Sequence, residues 1–156
     1  MIRVEIPGRG ALEIANLVLD LNGTLATDGD VPAEVGQRVQ ELSAALAVHI
    51  LTADTFGTAS RLTGLGAQVT VLGPGDQVAA KAAAVRAFGA AHTAAIGNGM
   101  NDEAMLREAA LGILVIGQEG AAVRSLLAAD LVVRSIEDAL DLLRFPKRLV
   151  ASLRTA

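Results

Sequence analysis

The sequence predicts an α/β chain with a parallel sheet covered by helices on both faces. Three observations carry that expectation. Short runs rich in Val, Ile and Leu recur along the chain, and each is followed by a stretch of helical periodicity. The runs are apolar at consecutive rather than alternate positions, as in strands buried on both faces. Polar residues close several of these runs, and open α/β sheets keep their chemistry just beyond the carboxyl ends of their strands. A chain of 156 residues is one domain by length and can bury a proper core.

The elements follow in order. Ile2, Val4 and Ile6 alternate with Arg3 and Glu5, and Leu12 and Ile14 follow the turn Pro7-Gly8-Arg9-Gly10. This reads as a β-hairpin over residues 1–15 with one apolar face. A lone hairpin is not stable, so that face must cover its own sheet or a partner subunit. Asn16 to Leu19 form an apolar strand ending in Asp20, and Gly23 follows three residues later. Pro32 suits the first turn of a helix, whose inward stripe is Val35, Val39, Leu42 and Leu46. Ala47 to Leu51 is a second strand, closed by Thr52. A helix is expected from Thr52-Ala53-Asp54-Thr55 to about Leu62, with Asp54 as its cap. Gln68 to Leu72 is a third strand, and Asp76 suits an N-cap. In the helix from Gln77 to Phe88, Lys81 lies three after Val78 and four before Val85, on the buried face. An inward lysine either snorkels to the sheet edge or is paired. Thr93 to Ile96 is a fourth strand. It leads into Gly97-Asn98-Gly99-Met100-Asn101-Asp102, where a helix starts with Asp102 on its inward side. Leu111 to Ile116, a helix around Ala121 to Leu127, a short strand Leu131 to Val133, and helices from Ile136 and Pro146 complete the chain.

Composition narrows the function classes. The chain is 52% hydrophobic, with no Trp, no Tyr and three Phe, so its core is an Ala/Leu/Val/Ile packing. The formal net charge is −4, and no basic run exceeds Lys147-Arg148, which argues against a nucleic-acid footprint. There is no cysteine, hence no disulfide, thiolate metal site or thiol nucleophile. No apolar run reaches membrane-spanning length and no signal-peptide layout is present. A cytoplasmic protein is expected. His49, inside one strand, and His92, before another, read as satisfied structural histidines. Asp28 and Asp30 read as solvated loop acids.

Asp20, Asn22, Thr52, Lys81, Asn98 and Asp102 are thus gathered at one edge of the sheet. Carboxylates facing a lysine and a hydroxyl suit phosphoryl chemistry. Asp20 would attack phosphorus, and Asp20 with Asp102 would hold Mg²⁺, a hard cation that prefers oxygen ligands. Lys81 and Thr52 would bind phosphoryl oxygens, helped by backbone N–H groups after Asp20, with Gly23 freeing the loop to present them.

Asp20-Leu21-Asn22-Gly23-Thr24-Leu25, then Thr52, Lys81 and Gly97-Asn98-Gly99-Met100-Asn101-Asp102 resemble the four ordered motifs of the haloacid dehalogenase-like (HAD) superfamily. The flavour is similar to the phosphorylation domain of P-type ATPases. Their second motif, Thr-Gly-Asp, is matched by Thr52-Ala53-Asp54, with Thr58-Ala59 following. The likeness spans about residues 16–135 and leaves the hairpin and the helices of 136–156 unexplained. It implies a Rossmann-like three-layer core and an aspartyl-phosphate on Asp20; the chain departs from it in having no cap domain. Phosphate ligands would be Gly23, Thr52, Ala53, Lys81 and Asn101. Metal ligands would be Asp20, the carbonyl of Asn22, and Asp102 or Asn98.

Three departures qualify that likeness. HAD phosphatases place an acid–base Asp two residues after the nucleophile, where this chain has Asn22. Asn98 stands where the fourth motif carries Asp, which costs the metal site a negative charge. Only about thirty residues separate Asp20 from Thr52, leaving no room for the nucleotide-binding domain of the pumps. A slow Mg²⁺-dependent phosphohydrolase acting on a small phosphorylated substrate or acyl phosphate is therefore expected. The alternative is a HAD-fold, phosphate-responsive binding or assembly protein with little turnover. A dinucleotide fingerprint at Gly97-x-Gly99 lacks its third glycine, and a response-regulator receiver would carry its lysine at a strand end. The open site and the amphipathic hairpin suggest a homo-oligomer with residues 1–15 at the interface. Lys81→Ala is expected to weaken phosphate binding without harming the fold.

Overall fold

The computed structural model describes residues 1–53, 62 and 64–156. The helix expected after Thr52, with Asp54 and Thr58-Ala59, lies outside the described residues. Eight strands are described: β1 (Ile2–Ile6), β2 (Gly10–Ile14), β3 (Asn16–Asp20), β4 (Ala47–Thr52), β5 (Ala67–Val71), β6 (Thr93–Gly97), β7 (Leu111–Val115) and β8 (Leu131–Val133). β1 and β2 form an antiparallel hairpin. The others make one six-stranded sheet of order β5-β4-β3-β6-β7-β8, with every pairing parallel. This is the expected Rossmann-like sheet. The chain steps outward from β3 to β4 and β5, then returns to the other side of β3 with β6. The order reverses there, so the carboxyl ends of β3 and β6 open a crevice.

Consecutive residues of a strand face opposite sides, and β3 shows the division. Leu17 and Leu19 join a core with Val35, Val39, Leu140 and Leu143, from the helices Ala33–Ser43 and Ile136–Arg144. Val18 joins a separate core with Val85, Met105 and Leu106, from the helices Gln77–Phe88 and Glu103–Glu108. The three expected layers result. Asp20 shares the parity of Val18, so it faces the layer containing Lys81. Among the described residues no further layer lies over the strand ends.

Local chemistry sets the helix ends. The Asp76 carboxylate accepts from the Ala79 N–H at 3.1 Å, and the Ser135 hydroxyl oxygen accepts from the Asp138 N–H at 3.1 Å. Pro32 precedes its helix instead of entering the first turn, because its ψ of 144° is extended. Leu46 lies beyond the same helix, yet is buried.

The hairpin and the last helices have definite places. Ile6, Leu12 and Ile14 are buried in the same core as Leu149 of the C-terminal helix. The Thr155 N–H donates to the Pro7 carbonyl at 3.0 Å. The hairpin leads into the start of β3, at the end of the sheet opposite Asp20. Its apolar face is therefore spent inside the chain, which removes the reason for placing a subunit interface on residues 1–15. Among the described residues no helix is long and apolar enough to cross a membrane.

His92 is satisfied, with Nδ1 3.1 Å from the Glu13 carbonyl. His49 is not: neither ring nitrogen meets a partner at hydrogen-bond geometry. It stacks on Phe88, with centroids 3.8 Å apart and planes 11° apart. Burial lowers its pKa from the ordinary 6.5, with the nearby Gln68 side chain opposing. A depressed folded-state pKa stabilises the fold fully above 6.5, and this contribution is lost as the pH falls toward the folded value. Urea unfolding at pH 8 and pH 5 should therefore show a larger acid loss for the wild type than for His49→Leu. Equal losses would mean that His49 is solvated or paired in solution.

Candidate active site

Three neighbouring strand ends each bring one polar group to the crevice. Asp20 closes β3, Thr52 closes β4, and Asn98 follows β6; all three are buried. Lys81 is 1% exposed and rises from the helix lying over this layer. Its Nζ donates to Asp20 Oδ1 at 2.5 Å and to Asp102 Oδ1 at 2.7 Å. The expectation of an inward, paired lysine is met, and snorkelling is excluded by the burial.

Asp102 is 0% exposed. Besides Lys81, it accepts from the backbone N–H groups of Asn98 and Gly99, each at 2.9 Å to Oδ2. A Cβ on Gly97 would lie 2.5 Å from Asp102 Cγ, so only glycine lets the carboxylate fold back against β6. Asp102 thus fastens the loop and holds Lys81.

Thr24 contributes a contact that the sequence reading did not assign. Its Oγ1 lies 3.1 Å from both Asp20 Oδ2 and Asn98 Oδ1, and its single hydrogen serves one at a time. The signal was its place in the Asp-x-x-Gly-Thr motif. Gly23 takes φ +79°, and a Cβ there would meet Glu119 Oε2 at 2.4 Å and Asn98 Nδ2 at 2.8 Å. Its N–H donates to the Ala26 carbonyl at 2.9 Å. Gly23 therefore shapes the loop, and its own N–H is turned away from the expected phosphate role.

A cavity of about 500 Å³ opens above these groups. Asp20, Asn22, Thr52, Ala53, Lys81, Asn98 and Asn101 all line it, as the sequence reading requires. Asp102 does not line it. Glu119 does, and nothing in the sequence announced it, because its loop after β7 has neither periodicity nor a motif.

The electrostatics follow from one ammonium shared by two carboxylates, a buried trio of net charge −1. Burial, then the charge of Asp102, push Asp20 from 3.8 up to about 6 against the pull of Lys81 and Thr24. Burial pulls the Lys81 ammonium down, but Asp20 and Asp102 outweigh it and hold its pKa above the ordinary lysine value. Among the described residues no three His, Cys, Asp or Glu converge to hold a metal. A cation here would draw on amide, carbonyl and water oxygens beside its carboxylates.

No family model matches the chain. A curated protein of Methanocaldococcus jannaschii, itself uncharacterized, is 57% identical over 60 residues, 38% of this chain and 64% of that protein. The chain thus spans just under two thirds of the relative it matches. Solved structures resemble it over far more of its length. One is the 3-deoxy-D-manno-octulosonate 8-phosphate phosphatase of Moraxella catarrhalis, in complex with a magnesium ion, a phosphate ion and a KDO molecule. It is 18% identical over 88% of this chain and 92% of that one, with a TM-score of 0.68. The cobalt-bound deoxy-D-mannose-octulosonate 8-phosphate phosphatase of Haemophilus influenzae is 19% identical over 89% and 92%, with a TM-score of 0.71. A Legionella pneumophila protein assigned to the HAD superfamily, subfamily III A, is 18% identical over 91% and 88%, with a TM-score of 0.71. Sheet order, ordered motifs and these likenesses agree, and the chain has the haloacid dehalogenase-like fold.

Proposed function

We propose that the chain is a divalent-cation-dependent phosphohydrolase that works through an aspartyl-phosphate on Asp20. One observation carries this reading: Asp20 stands at the carboxyl end of the central strand, at the sheet's switch point. There it is paired with a buried lysine and opens into a polar cavity. The structural neighbours include phosphatases acting on a small sugar-acid phosphate, which supports a substrate of that size for this chain.

The residues fit a hard divalent cation, because the buried trio is net negative and Asp20, Asn22 and Asn98 offer only oxygens or neutral amides to the cavity. A bound Mg²⁺ would supply charge neutralisation between Asp20 and the phosphoryl group. Asp20, the Asn22 carbonyl and the Asn98 amide oxygen would hold it, whereas Asp102, engaged by Lys81 and two backbone N–H groups away from the cavity, would position Lys81 and the loop. In the first step an ionised Asp20 oxygen bonds to phosphorus, and the leaving-group oxygen departs with the electron pair of its P–O bond. Lys81, Thr52 and Asn101 would meet the equatorial oxygens, whose charge a preorganised cation and donors stabilise. In the second step water attacks phosphorus and releases phosphate, and Asp20 is regenerated as the carboxylate.

Asn22 limits both steps, since an amide does not shuttle protons at neutral pH. Positioned acid–base help is worth ~10²–10⁴-fold. The first step should then favour good leaving groups such as aryl or acyl phosphates, and phosphoenzyme should accumulate. Single-turnover dephosphorylation checks this. Asn22→Asp should shorten the phosphoenzyme lifetime and raise turnover of alkyl phosphates most, whereas Asn22→Thr should leave the lifetime long. Equal lifetimes for wild type and Asn22→Asp would mean that another group activates water. The two amides at Asn22 and Asn98 favour one second reading, a phosphate-responsive module without turnover. Repeated release of nitrophenol from nitrophenyl phosphate with Mg²⁺ would exclude it.

A further inference from the structure

Glu119 lies on the loop after β7, in the wall shared by the cavity at Asp20 and a second cavity lined by Gly23, Thr24 and Arg134. The missing side chain of Gly23 leaves room for the Glu119 carboxylate. The site of its missing Cβ is 2.4 Å from Glu119 Oε2 and 2.8 Å from Asn98 Nδ2, so carboxylate and amide crowd one point over the nucleophile loop. The stretch behind Glu119 is anchored, with the Ala122 N–H donating to the Asn98 carbonyl at 2.9 Å. Among the described residues no cation stands within ion-pair distance of Glu119.

The negative charge available to the cavity is small without it. Asp102 is fully buried, with Oδ1 on Lys81 and Oδ2 under two backbone N–H groups. Asn22 and Asn98 are neutral. Asp20 and Glu119 are the two carboxylates that face the cavity among the described residues. Mg²⁺ sites of this kind use one or two carboxylates together with waters and substrate phosphate.

We propose that Glu119 is the second carboxylate ligand of the divalent cation held at Asp20, restoring from the β7 loop the charge that Asn98 lacks. The inference rests on the reading of this cavity as a cation-dependent phosphohydrolase site. Asp102 is then left to position Lys81 and the Asn98 loop. Adjacent Asn98 and Glu119 also compensate for each other: a carboxylate at position 98 would replace the charge lost when the one at 119 is removed.

The test is Mn²⁺ binding to the full chain without phosphate, by titration calorimetry and by the Mn²⁺ paramagnetic resonance signal. Glu119 is exposed, so Glu119→Gln should keep the unfolding midpoint of the wild type in chelator, and Glu119→Ala serves as a second variant. Both should weaken Mn²⁺ about tenfold or more, the scale of lost ligand support at metal sites. Asn98→Asp should tighten it, and Asn98→Asp/Glu119→Gln should return to about the wild-type value. Unchanged affinity in both Glu119 variants, with binding lost in Asp20→Asn, overturns the role of Glu119 and leaves the cation site standing. No Mn²⁺ binding to the wild type overturns both.

Discussion

Lys81→Met should lose about 3–5 kcal/mol of folding stability at pH 8, because removing one partner of a buried ion pair strands the other. Here it strands two carboxylates, whose side chains are 10% exposed for Asp20 and 0% for Asp102. For a domain whose whole stability is about 5–15 kcal/mol, that is a large share. The loss should shrink near pH 5.5, where one carboxylate takes up a proton and relieves the repulsion. Urea unfolding at both pH values measures it. The sequence alone suggested that a lysine could be truncated here without harm to the fold. Burial reverses that expectation, since a snorkelling lysine leaves nothing behind and a buried one leaves charge. Equal stability of variant and wild type at pH 8 would mean that water reaches the trio.

Asp20→Asn should do the opposite to stability while abolishing turnover and phosphoenzyme. The Asp20 pKa is raised on folding from 3.8 to about 6. The folded state therefore favours the protonated acid, and the stability from this group is lost as the pH rises through about 6. A neutral isostere removes that penalty. In metal-free buffer at pH 7.5 the variant should gain on the order of 1–3 kcal/mol, one pKa unit being ~1.4 kcal/mol. No other carboxylate ends β3, so no replacement nucleophile exists at that position. A variant that is inactive but no more stable would place less strain in the resting site than the geometry implies.

Much of this site was legible because it hangs on regular elements. Asp20 was found by the apolar run before it, and Lys81 by its spacing from Val78 and Val85. Asp102 was found by its offset from Met105 and Leu106. These periodicities determine which face a side chain takes, and the parallel sheet determines which strand ends meet. Thr24 was visible as a motif residue, but its contacts with both Asp20 and Asn98 depend on a loop with no period. Gly23 was read as freeing an N–H for phosphate, whereas the fold uses that N–H on Ala26 and uses the glycine for its positive φ. Glu119 was invisible for a related reason: only the tertiary approach of the β7 loop to Gly23 brings it to the cavity. The hairpin was recognised, but its partner was not, because the apolar face of Ile6, Leu12 and Ile14 carries no mark saying that Leu149, far along the chain, will cover it. His49 was correctly placed inside a strand, while its unpaired nitrogens follow from stacking on Phe88, which no pattern in the sequence displays.

The central claim is that Asp20 takes up a phosphoryl group, and intact-protein mass spectrometry after incubation with acetyl phosphate and Mg²⁺ tests it most directly. The wild type should gain one phosphoryl group that is lost in hydroxylamine and maps to the peptide containing Asp20, and Asp20→Asn should gain none. Equal labelling of both proteins, or a label mapping elsewhere, would contradict the account.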